Sequence, residues 1–472
     1  GVYKLAYDDI TDAGLDLNGI DPRTIKISNL GTETPIYVGG EEDGKFDKSD
    51  YILFYGTAVT DIYTSQNVYW LTVDGENGQR MGTADGTLSG SAAVPDYFLA
   101  TIHAEENSYY WQTIPDGEGQ DHYFCRDKLS APASESYSLS LNNISNTTGT
   151  ATVRVRLKGR TDVESAYPDH HTIIYLNNNK IDDQKWDGQS IYDHEVSISP
   201  SYLSEGTNTV QVEAVGDTGA SVDQVFVDWI EVDYYQAYVA KNDELLFTAP
   251  TAGDFQFEIN GFSSSDVEVF NITDTDNIMR IANTTVAPNG GTYALKFQDT
   301  AQSDTHYLAM TPSKRRSPAG IEKDKPSFWK LASNGADYII ITHGDFYDSA
   351  LPLANYRSKS GLRVATVNVE DIYDEFNYGI FNPQAIRDFL SYAYNNWVTP
   401  APTYVLLVGD AYQDYKDNLE TGTLNYVPTQ IIETDILGET PSDNWFVLVS
   451  GDDILPDMYI GRLSAQSTSQ VG

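Results

Sequence analysis

Carboxylates follow apolar runs near the end of the sequence, and their spacing suits a hard metal ion. The apolar run 404–409 leads directly into Asp410, and further along the chain Asp453, Leu455 and Asp457 alternate. Calcium takes about six to eight oxygen ligands from carboxylates and backbone carbonyls, often at alternate positions of a loop. Three converging carboxylates repel one another, and a cation relieves that repulsion. The pattern predicts calcium bound by the three carboxylates and the Leu455 carbonyl, with a solvated acidic loop as the alternative.

Nucleophilic catalysis has one candidate histidine and one cysteine. His343 follows the apolar run 338–342, and Cys125 is the only cysteine of the sequence. The position of His343 resembles the histidine block of caspase-like peptidases, whose nucleophilic cysteine follows a later strand. Because no cysteine follows Cys125, we expect His343 not to be catalytic and Cys125 to be a small buried hydrophobic residue.

Other catalytic patterns are missing from the sequence. His170 and His171 lie in a predicted polar loop without a third zinc ligand at useful spacing. No Gly-x-Ser-x-Gly elbow precedes a helix, and no glycine-rich phosphate loop opens one. The proline-bounded basic stretch 312–318 predicts either a cleavage site or an interdomain linker.

The overall charge limits the partners. The chain has 472 residues, and 29 Lys and Arg against 69 Asp and Glu give a net charge of −40. Such a field repels nucleic acid, which needs basic contacts, and favours calcium and basic peptides. No run of about 18 apolar residues predicts a membrane span. The Tyr and Asn content and short strand patterns favour a secreted or cell-surface protein, and the start at Gly1 without a signal peptide favours a mature, trimmed product.

Hydrophobic periodicity divides the chain into β modules and an α/β segment. Short alternating runs bounded by Gly, Asp and Asn predict three all-β regions, the second of them a two-sheet sandwich of jelly-roll type. Its turn at Asn177 and Asn178 suits left-handed backbone angles. The predicted domains are an N-terminal β domain (1–96), a β-sandwich (97–240), a small β unit (241–311), a linker (312–335) and an α/β segment (336–472).

The α/β segment has the pattern of a parallel sheet. Continuous apolar runs at 338–342 and 404–409 are typical of strands buried on both faces. A helix is predicted from Ala350 to near Gly361, with Pro352 in its first turn. A second helix is predicted to begin at Asn382, which would cap it. Alternating strands and helices predict a right-handed parallel α/β sheet.

Several motifs of this segment resemble the gingipain family of cysteine peptidases, in the same order along the chain. The resemblance covers residues 336–472 closely. More loosely, the β region resembles the N-terminal part of larger gingipain-like proteins, which include the sortase of the type IX secretion system. The matching motifs are LANYR (353–357), GLRV (361–364), AIRDF (385–389), YVLLVGD (404–410), SD (442–443) and the stretch from GDD to IGR (451–462).

The resemblance implies a caspase-like α/β domain of which this chain carries the first half. Its calcium ligands would correspond to the carboxylates of Asp410, Asp453 and Asp457 and to the carbonyls of Ser450 and Leu455. Asp457 stands where the family has Glu, which is one methylene longer. The Cys/His dyad of the family would lie beyond the end of this chain, so no residue here is expected to be catalytic.

The expected function is therefore that of the N-terminal part of a secreted, calcium-binding, gingipain-like cysteine endopeptidase. Its partners would be a protein or peptide substrate and the C-terminal remainder of the catalytic domain. The β-sandwich is a candidate glycan-binding module, since its closing strand resembles that of carbohydrate-binding sandwiches. The alternatives are a sortase or transpeptidase of the same family and a non-catalytic adhesion or carbohydrate-binding protein with a degenerate caspase-like domain.

Overall fold

A computed structural model describes residues 1–73, 75–145 and 149–472 of the chain. All-β modules precede a segment whose sheet is parallel, so the predicted multidomain fold class is confirmed. Among the described residues, no helix is both long enough and apolar enough to cross a membrane.

The N-terminal region forms two three-stranded sheets. One has the strand order β1-β5-β4 and the other β3-β2-β6, and they enclose a core that includes Ile27, Ile36 and Ile52. The elements are β1 (Val2–Ala6), α1 (Tyr7–Asp12), β2 (Lys26–Asn29), β3 (Thr32–Thr34), β4 (Ile36–Gly39), β5 (Tyr51–Tyr55), β6 (Trp70–Thr72) and β7 (Gly82–Asp85).

The second region is a two-sheet β-sandwich. One sheet has the order β11-β18-β13-β16, with β8 also paired to β18, and the other has the order β12-β17-β14-β15. Alternate side chains of β13 and β17, among them Val155 and Val212, are fully buried between the sheets. The strands are β8 (Tyr97–Glu105), β9 (Tyr109–Tyr110), β10 (Tyr123–Phe124), β11 (Leu129–Ser130), β12 (Ala133–Leu141), β13 (Ala151–Gly159), β14 (His170–Leu176), β15 (Asn179–Trp186), β16 (Ile191–Ile198), β17 (Gly206–Ala214) and β18 (Gln224–Ala237).

Two details of the sandwich test the sequence predictions. Asn177 and Asn178 join β14 to β15 with φ values of 49° and 66°, so the predicted left-handed turn is confirmed. The predicted polar loop at His170 and His171 is wrong, because both residues belong to β14 and are buried. Aspartates from outside β14 bind both imidazoles, which a sequence pattern cannot show: Asp223 with His170 at 2.7 Å, and Asp217 and Asp183 with His171 at 2.7 and 2.9 Å.

The third region completes its larger sheet with a strand from the first. That sheet has the order β19-β25-β21-β22-β7, and β7 runs parallel to β22. The smaller sheet has the order β20-β24-β23. The strands are β19 (Glu244–Thr248), β20 (Gly253–Phe262), β21 (Glu268–Asn271), β22 (Met279–Ala282), β23 (Thr285–Asn289), β24 (Thr292–Ala301) and β25 (His306–Met310).

The basic stretch after β25 is bonded into the β region. The Arg315 guanidinium makes two 2.9 Å hydrogen bonds to the Glu268 carboxylate. The Arg316 backbone bonds to Val2 and Lys4 of β1, each at 2.8 Å. Cleavage here therefore requires that the stretch first detach from β1.

The C-terminal segment is a four-stranded parallel sheet of order β27-β26-β28-β31. Alternate residues of β26 point to opposite faces, as the period of a strand requires. Ile339 and Ile341 pack against α3 and α4, while Ile340 packs against α2 on the other face. The elements are β26 (Tyr338–Thr342), α2 (Tyr347–Lys359), β27 (Val364–Asn368), α3 (Val369–Asn377), α4 (Pro383–Asn396), β28 (Tyr404–Val408), β29 (Gln430–Thr434), β30 (Gly438–Ser442), β31 (Tyr459–Leu463) and α5 (Thr468–Val471).

The helices of this segment follow the local signals with one exception. Asn382 caps α4 by accepting a 2.8 Å hydrogen bond from the Gln384 N–H, and Pro383 is the first helical residue, as predicted. Helix α2 begins at Tyr347, earlier than expected, so Pro352 lies in its second turn rather than its first. Its ring removes one internal hydrogen bond there, and packing of Ala350 and Ala354 against the sheet holds the helix.

Candidate active-site edge and acidic sites

The carboxyl ends of the parallel strands meet at one edge of the sheet, where ligands of α/β folds bind. His343 follows β26 there, and its Nδ1 accepts a hydrogen bond from the Asp345 N–H at 3.2 Å. The imidazole packs edge-on against Tyr426, with 5.2 Å between the ring centroids. Asp410 follows β28, and its Oδ2 accepts a 2.7 Å hydrogen bond from Gln466 Nε2. This edge supplies a histidine and a carboxylate but no thiol, because Cys125 is the only cysteine of the sequence.

The single cysteine lies in the β-sandwich. Cys125 is buried, and its thiol donates a 2.8 Å hydrogen bond to the Asp228 carbonyl. Burial raises the pKa of the thiol to about 12, so it is protonated at neutral pH. A protonated thiol is a poor nucleophile and a poor metal ligand, which agrees with the structural role expected from the sequence.

The predicted calcium ligands Ser450, Asp453, Leu455 and Asp457 lie in one exposed stretch, which we call the acidic loop (residues 450–457). Asp457 Oδ2 accepts 2.8 Å hydrogen bonds from the N–H groups of Val449 and Ser450 and so closes the neck of this loop. Asp453 Oδ1 accepts a 2.8 Å hydrogen bond from the Leu455 N–H. The carboxylate and carbonyl oxygen atoms of these four residues are of the kind that binds calcium.

Asp410 is not at the acidic loop, because the strand register places it at the opposite edge of the sheet. Tyr404 pairs with Tyr459 and Val408 with Leu463. Asp457 therefore lies beyond the amino end of this strand pair and Asp410 beyond its carboxyl end. At about 3.3 Å per residue the two positions are roughly 25 Å apart along the strands. One ion cannot bind both, and calcium binding by the acidic loop alone stays a prediction.

Arg462 ties together motif residues that are distant in sequence. Its guanidinium makes a two-pronged ion pair with Asp443, with distances of 2.8 and 2.6 Å. It also donates to the carbonyls of Gly409, Val427 and Pro428. The Arg462 side chain is only 11% exposed, so these bonds are largely shielded from water. The SD and IGR motifs thus fix the loops at the carboxyl edge.

Two other motif arginines act in a similar way. Arg387 of α4 donates to the Leu448 carbonyl at 2.8 Å and lies 4.4 Å from the Trp445 ring centroid, which braces the neck of the acidic loop. Arg363 pairs with Asp337 at 2.7 Å at the amino edge of the sheet. These motifs therefore stabilise the scaffold rather than supply chemistry.

The β-sandwich contacts the C-terminal segment through its hairpin β9–β10 (residues 109–124), which packs against the hairpin β29–β30 of that segment. We call this interface the hairpin contact. The Glu439 backbone exchanges hydrogen bonds with Gln112, with distances of 3.1 and 2.8 Å. The Glu439 carboxylate accepts a 2.6 Å hydrogen bond from the Tyr110 hydroxyl. A Cβ on Gly438 would lie 2.1 Å from the Gln112 carbonyl oxygen, so the close approach requires glycine.

Other contacts widen this junction. The Tyr123 hydroxyl donates to Asp414 Oδ1 at 3.2 Å. From the N-terminal region, Tyr63 packs edge-on against Tyr415 at 5.0 Å. Asp414 is itself buried, and it also accepts hydrogen bonds from the N–H groups of Asn418 and Leu419. The β modules therefore contact the sheet-bearing segment at several points.

The sequence interpretation missed a carboxylate cluster in the β-sandwich. Oxygen atoms of Glu105, Asp121 and Asp228 lie within 4.8 Å of one another. These residues are far apart in sequence, so spacing could not reveal the group. The available signal was Asp228 itself, a carboxylate at a buried position of the apolar strand β18.

Comparisons with known proteins agree with the fold of the segment. Residues 331–472 match the family described as Peptidase family C25. No curated protein matches the chain. Dimeric latent PorU from Porphyromonas gingivalis is a similar solved structure, with 16% sequence identity and a TM-score of 0.67. That match covers 100% of this chain and 47% of the PorU chain, so the two share a fold over the whole length of this chain and about half of PorU.

Two further solved structures match only part of the chain. The complex of the pro- and mature domains of RgpB from Porphyromonas gingivalis has 21% identity, a TM-score of 0.22, and coverage of 28% of this chain and 26% of that one. A carbohydrate-binding module of family CBM36, in complex with calcium and xylotriose, has 15% identity and a TM-score of 0.19, with coverage of 28% and 98%. Neither likeness bears on the function of this chain. The family match and the parallel sheet place residues 331–472, which we call the peptidase segment, in peptidase family C25, the gingipain family of cysteine peptidases, as the motifs predicted.

Proposed function

We propose that this chain is the N-terminal part of a secreted, calcium-binding cysteine endopeptidase whose Cys/His dyad belongs to a part of the protein outside residues 1–472. The observation that carries the proposal is the peptidase family C25 match over residues 331–472. Cys125 cannot replace the missing nucleophile, because its thiol is buried in the β-sandwich and protonated.

The exposed strand β31 supports the proposal that more of the catalytic domain follows. This strand lies at the edge of the parallel sheet, with its outer side unpaired among the described residues. Tyr459 is 71% exposed and Leu463 is 38% exposed. Soluble proteins rarely leave an apolar edge strand open, because it can pair with other chains. A further parallel strand of the same domain would cover it.

In such a domain the missing cysteine would attack the substrate carbonyl as a thiolate, and the histidine would protonate the leaving amine. The residues described here would position this dyad. Arg462 fixes the loops at the carboxyl edge, and the sheet supplies a rigid base for the strands that carry the dyad. Protein or peptide would be the substrate, and the net charge of −40 would favour basic sequences.

Calcium would brace the acidic loop rather than take part in bond breaking. Asp453, Asp457 and the carbonyls of Ser450 and Leu455 would be its ligands, and Asp410 would not. We expect calcium to raise the melting temperature of chelator-treated chain and Asp453→Asn to reduce that increase. Asp410→Ala is the matched control, since it removes a carboxylate at the other edge. A calcium effect that responds to Asp410→Ala and not to Asp453→Asn would contradict this assignment.

The decisive experiment compares residues 1–472 with the longer encoded protein in a peptide-cleavage assay. Only the longer protein should hydrolyse peptide bonds, and replacement of a cysteine outside residues 1–472 by Ala should abolish the activity. Transfer of the acyl group to an added amine in place of water would identify the sortase-type alternative. A longer protein without hydrolysis or transfer would contradict the proposal and favour a non-catalytic adhesion protein.

A further inference from the structure

The carboxylate cluster of the β-sandwich joins three separate pieces of chain. Glu105 ends β8, Asp121 precedes β10 and Asp228 lies within β18, and their oxygen atoms are within 4.8 Å of one another. Antiparallel pairing sets Glu105 opposite Trp229, the residue after Asp228. The Cys125 N–H donates to the Val227 carbonyl at 2.9 Å, which holds the segment after Asp121 along the same strand. Backbone hydrogen bonds therefore position this cluster.

The burial and hydrogen bonding of Asp228 indicate that a ligand binds at this position. The residue is only 8% exposed, and its Oδ1 is buried without a hydrogen-bond partner in the described structure. A buried carboxylate oxygen without a partner is costly, and native proteins rarely leave one unsatisfied. Burial, reinforced by the charges of Asp121 and Glu105, raises the pKa of Asp228 to about 7. The fold therefore brings three carboxylates together, and the charge of Arg156 offsets their effect on Asp228 only in part.

The cationic side chains around the cluster are engaged elsewhere. Arg156 makes hydrogen bonds of 2.8 and 2.9 Å with Asp193. His103 lies between Glu105 and Glu231, with 3.0 Å to each. Within the described part of the chain, no Lys or Arg forms an ion pair with Asp121 or Asp228. The protein thus supplies three carboxylates and leaves the balancing charge to a bound ion.

We propose that Glu105, Asp121 and Asp228 bind a calcium ion and that this ion braces the hairpin contact with the peptidase segment. An all-carboxylate donor set selects a hard cation, since zinc prefers sites with histidine or thiolate ligands. The neighbouring Cys125 thiol already donates to the Asp228 carbonyl, so it does not offer a thiolate. Backbone carbonyls and water would complete the coordination.

The link to the peptidase segment follows from the position of Asp121 at the base of the β9–β10 hairpin. The next residue, His122, lies 3.6 Å from the Glu439 carboxylate, measured from its Nδ1. Tyr123 then donates to Asp414. An ion that fixes Asp121 against β18 would restrict the hairpin that presents these contacts. Calcium would therefore strengthen docking of the β-sandwich on the peptidase segment without touching that segment.

The test is calorimetric titration of calcium chloride into the full chelator-treated chain and its variants, with magnesium chloride as the comparison ion. We expect Asp228→Asn and Asp121→Asn to weaken calcium binding at this site at least tenfold. Glu213→Gln, which changes a carboxylate on β17 outside the cluster, and Asp453→Asn, which changes the acidic loop, should leave it intact. Asp228→Asn should be at least as stable as the wild type without calcium, because it removes an unpaired buried charge.

Each outcome separates this proposal from calcium binding by the acidic loop. Calcium binding that survives both Asp228→Asn and Asp121→Asn but is lost in Asp453→Asn would overturn the β-sandwich site and leave the loop as the only site. Hydrogen exchange of the backbone amides in residues 430–442 tests separately whether this calcium ion braces the hairpin contact. Calcium should slow that exchange in the wild type and not in Asp228→Asn, and equal exchange with and without calcium would overturn the bracing.

Discussion

Asp228 of the β-sandwich and two shielded carboxylates of the peptidase segment, Asp443 and Asp337, have different kinds of neighbour. In the peptidase segment, Asp443 and Asp337 each pair with an arginine, Arg462 and Arg363, at 2.6 and 2.7 Å. In the sandwich, Asp228 is more deeply buried than either and has two carboxylate neighbours in place of an arginine. The first arrangement is complete within the protein, and the second needs an ion from solution.

The net charge of −40 therefore does not by itself indicate which carboxylates can bind a cation. Where motif arginines are present, acidic residues fasten loops to the parallel sheet. Where arginines are engaged elsewhere, as Arg156 is with Asp193, acidic residues can form a cation site. Local pairing, not total charge, therefore decides which carboxylates are candidates for calcium.

Arg462→Met is the strongest test of the ion pairs between carboxylates and arginines in the peptidase segment. It removes the partner of Asp443 and the donor to three carbonyls, so we expect a loss of about 3 kcal/mol in unfolding free energy, measured by urea denaturation. Arg23→Met is the matched control, because Arg23 also forms a two-pronged pair, with Asp21, but the side chains are 61% and 37% exposed. The control should change little, since water screens that pair. Equal losses would break the distinction between shielded and exposed pairs.

The hairpin contact joins the two regions, and Gly438→Ala tests it. Gly438 and Gly422 have φ values of 65° and 67°, so alanine strains both backbones by about 1 kcal/mol. Only at Gly438 would the new Cβ also meet the Gln112 carbonyl, while Gly422 has open space. We expect Gly438→Ala to lose about 2 kcal/mol more than Gly422→Ala and to speed proteolysis of residues 430–442. The same loss in both variants would show that the interface is not tight.

Asp374 extends the comparison, because it is a carboxylate of the peptidase segment that forms no ion pair with an arginine among the described residues. Burial, followed by the charges of Asp324 and Glu370, raises its pKa from 3.8 to about 7. The folded state thus disfavours the charged form, and its stability falls as the pH rises from about 4 through 7. Asp374→Asn should therefore gain about 1 kcal/mol at pH 8 and nothing at pH 4.

Asp388→Asn is the matched control for that pH profile. Asp388 is exposed on the neighbouring helix α4, where Gln384 Nε2 donates to it at 2.7 Å. Urea denaturation at the two pH values should show no pH-dependent gain for this variant. A pH-independent effect of Asp374→Asn would contradict the assigned cause.

The sequence predicted the elements of the parallel sheet because its signals are local. The continuous apolar runs of β26 and β28 and the Asn382 cap with Pro383 each depend on neighbouring residues. Motif order then predicted the family. The buried positions of His170 and His171 were not predictable in this way, because their partners Asp223 and Asp217 come from distant parts of the chain.

The candidate sites show where sequence spacing fails. Asp410 and Asp457 both stand beside apolar strands, but one follows β28 and the other precedes β31, and parallel pairing separates those ends. Conversely, Glu105 and Asp228 are brought together by the antiparallel pairing of β8 with β18, and Asp121 joins them from a third segment, which no spacing rule encodes. Register, which depends on tertiary packing, therefore decides which carboxylates can share an ion.

The proposed enzymatic role has one direct test, which is to locate the cysteine that an active-site electrophile modifies. A peptidyl chloromethyl ketone would be reacted with the longer encoded protein, and the adduct located by mass spectrometry. We predict one adduct, on a cysteine outside residues 1–472, and an unmodified Cys125, because the Cys125 thiol is buried and has a pKa of about 12. Modification of Cys125 itself, or no adduct on any cysteine, would contradict the assignment of this chain to a cysteine peptidase with its dyad elsewhere.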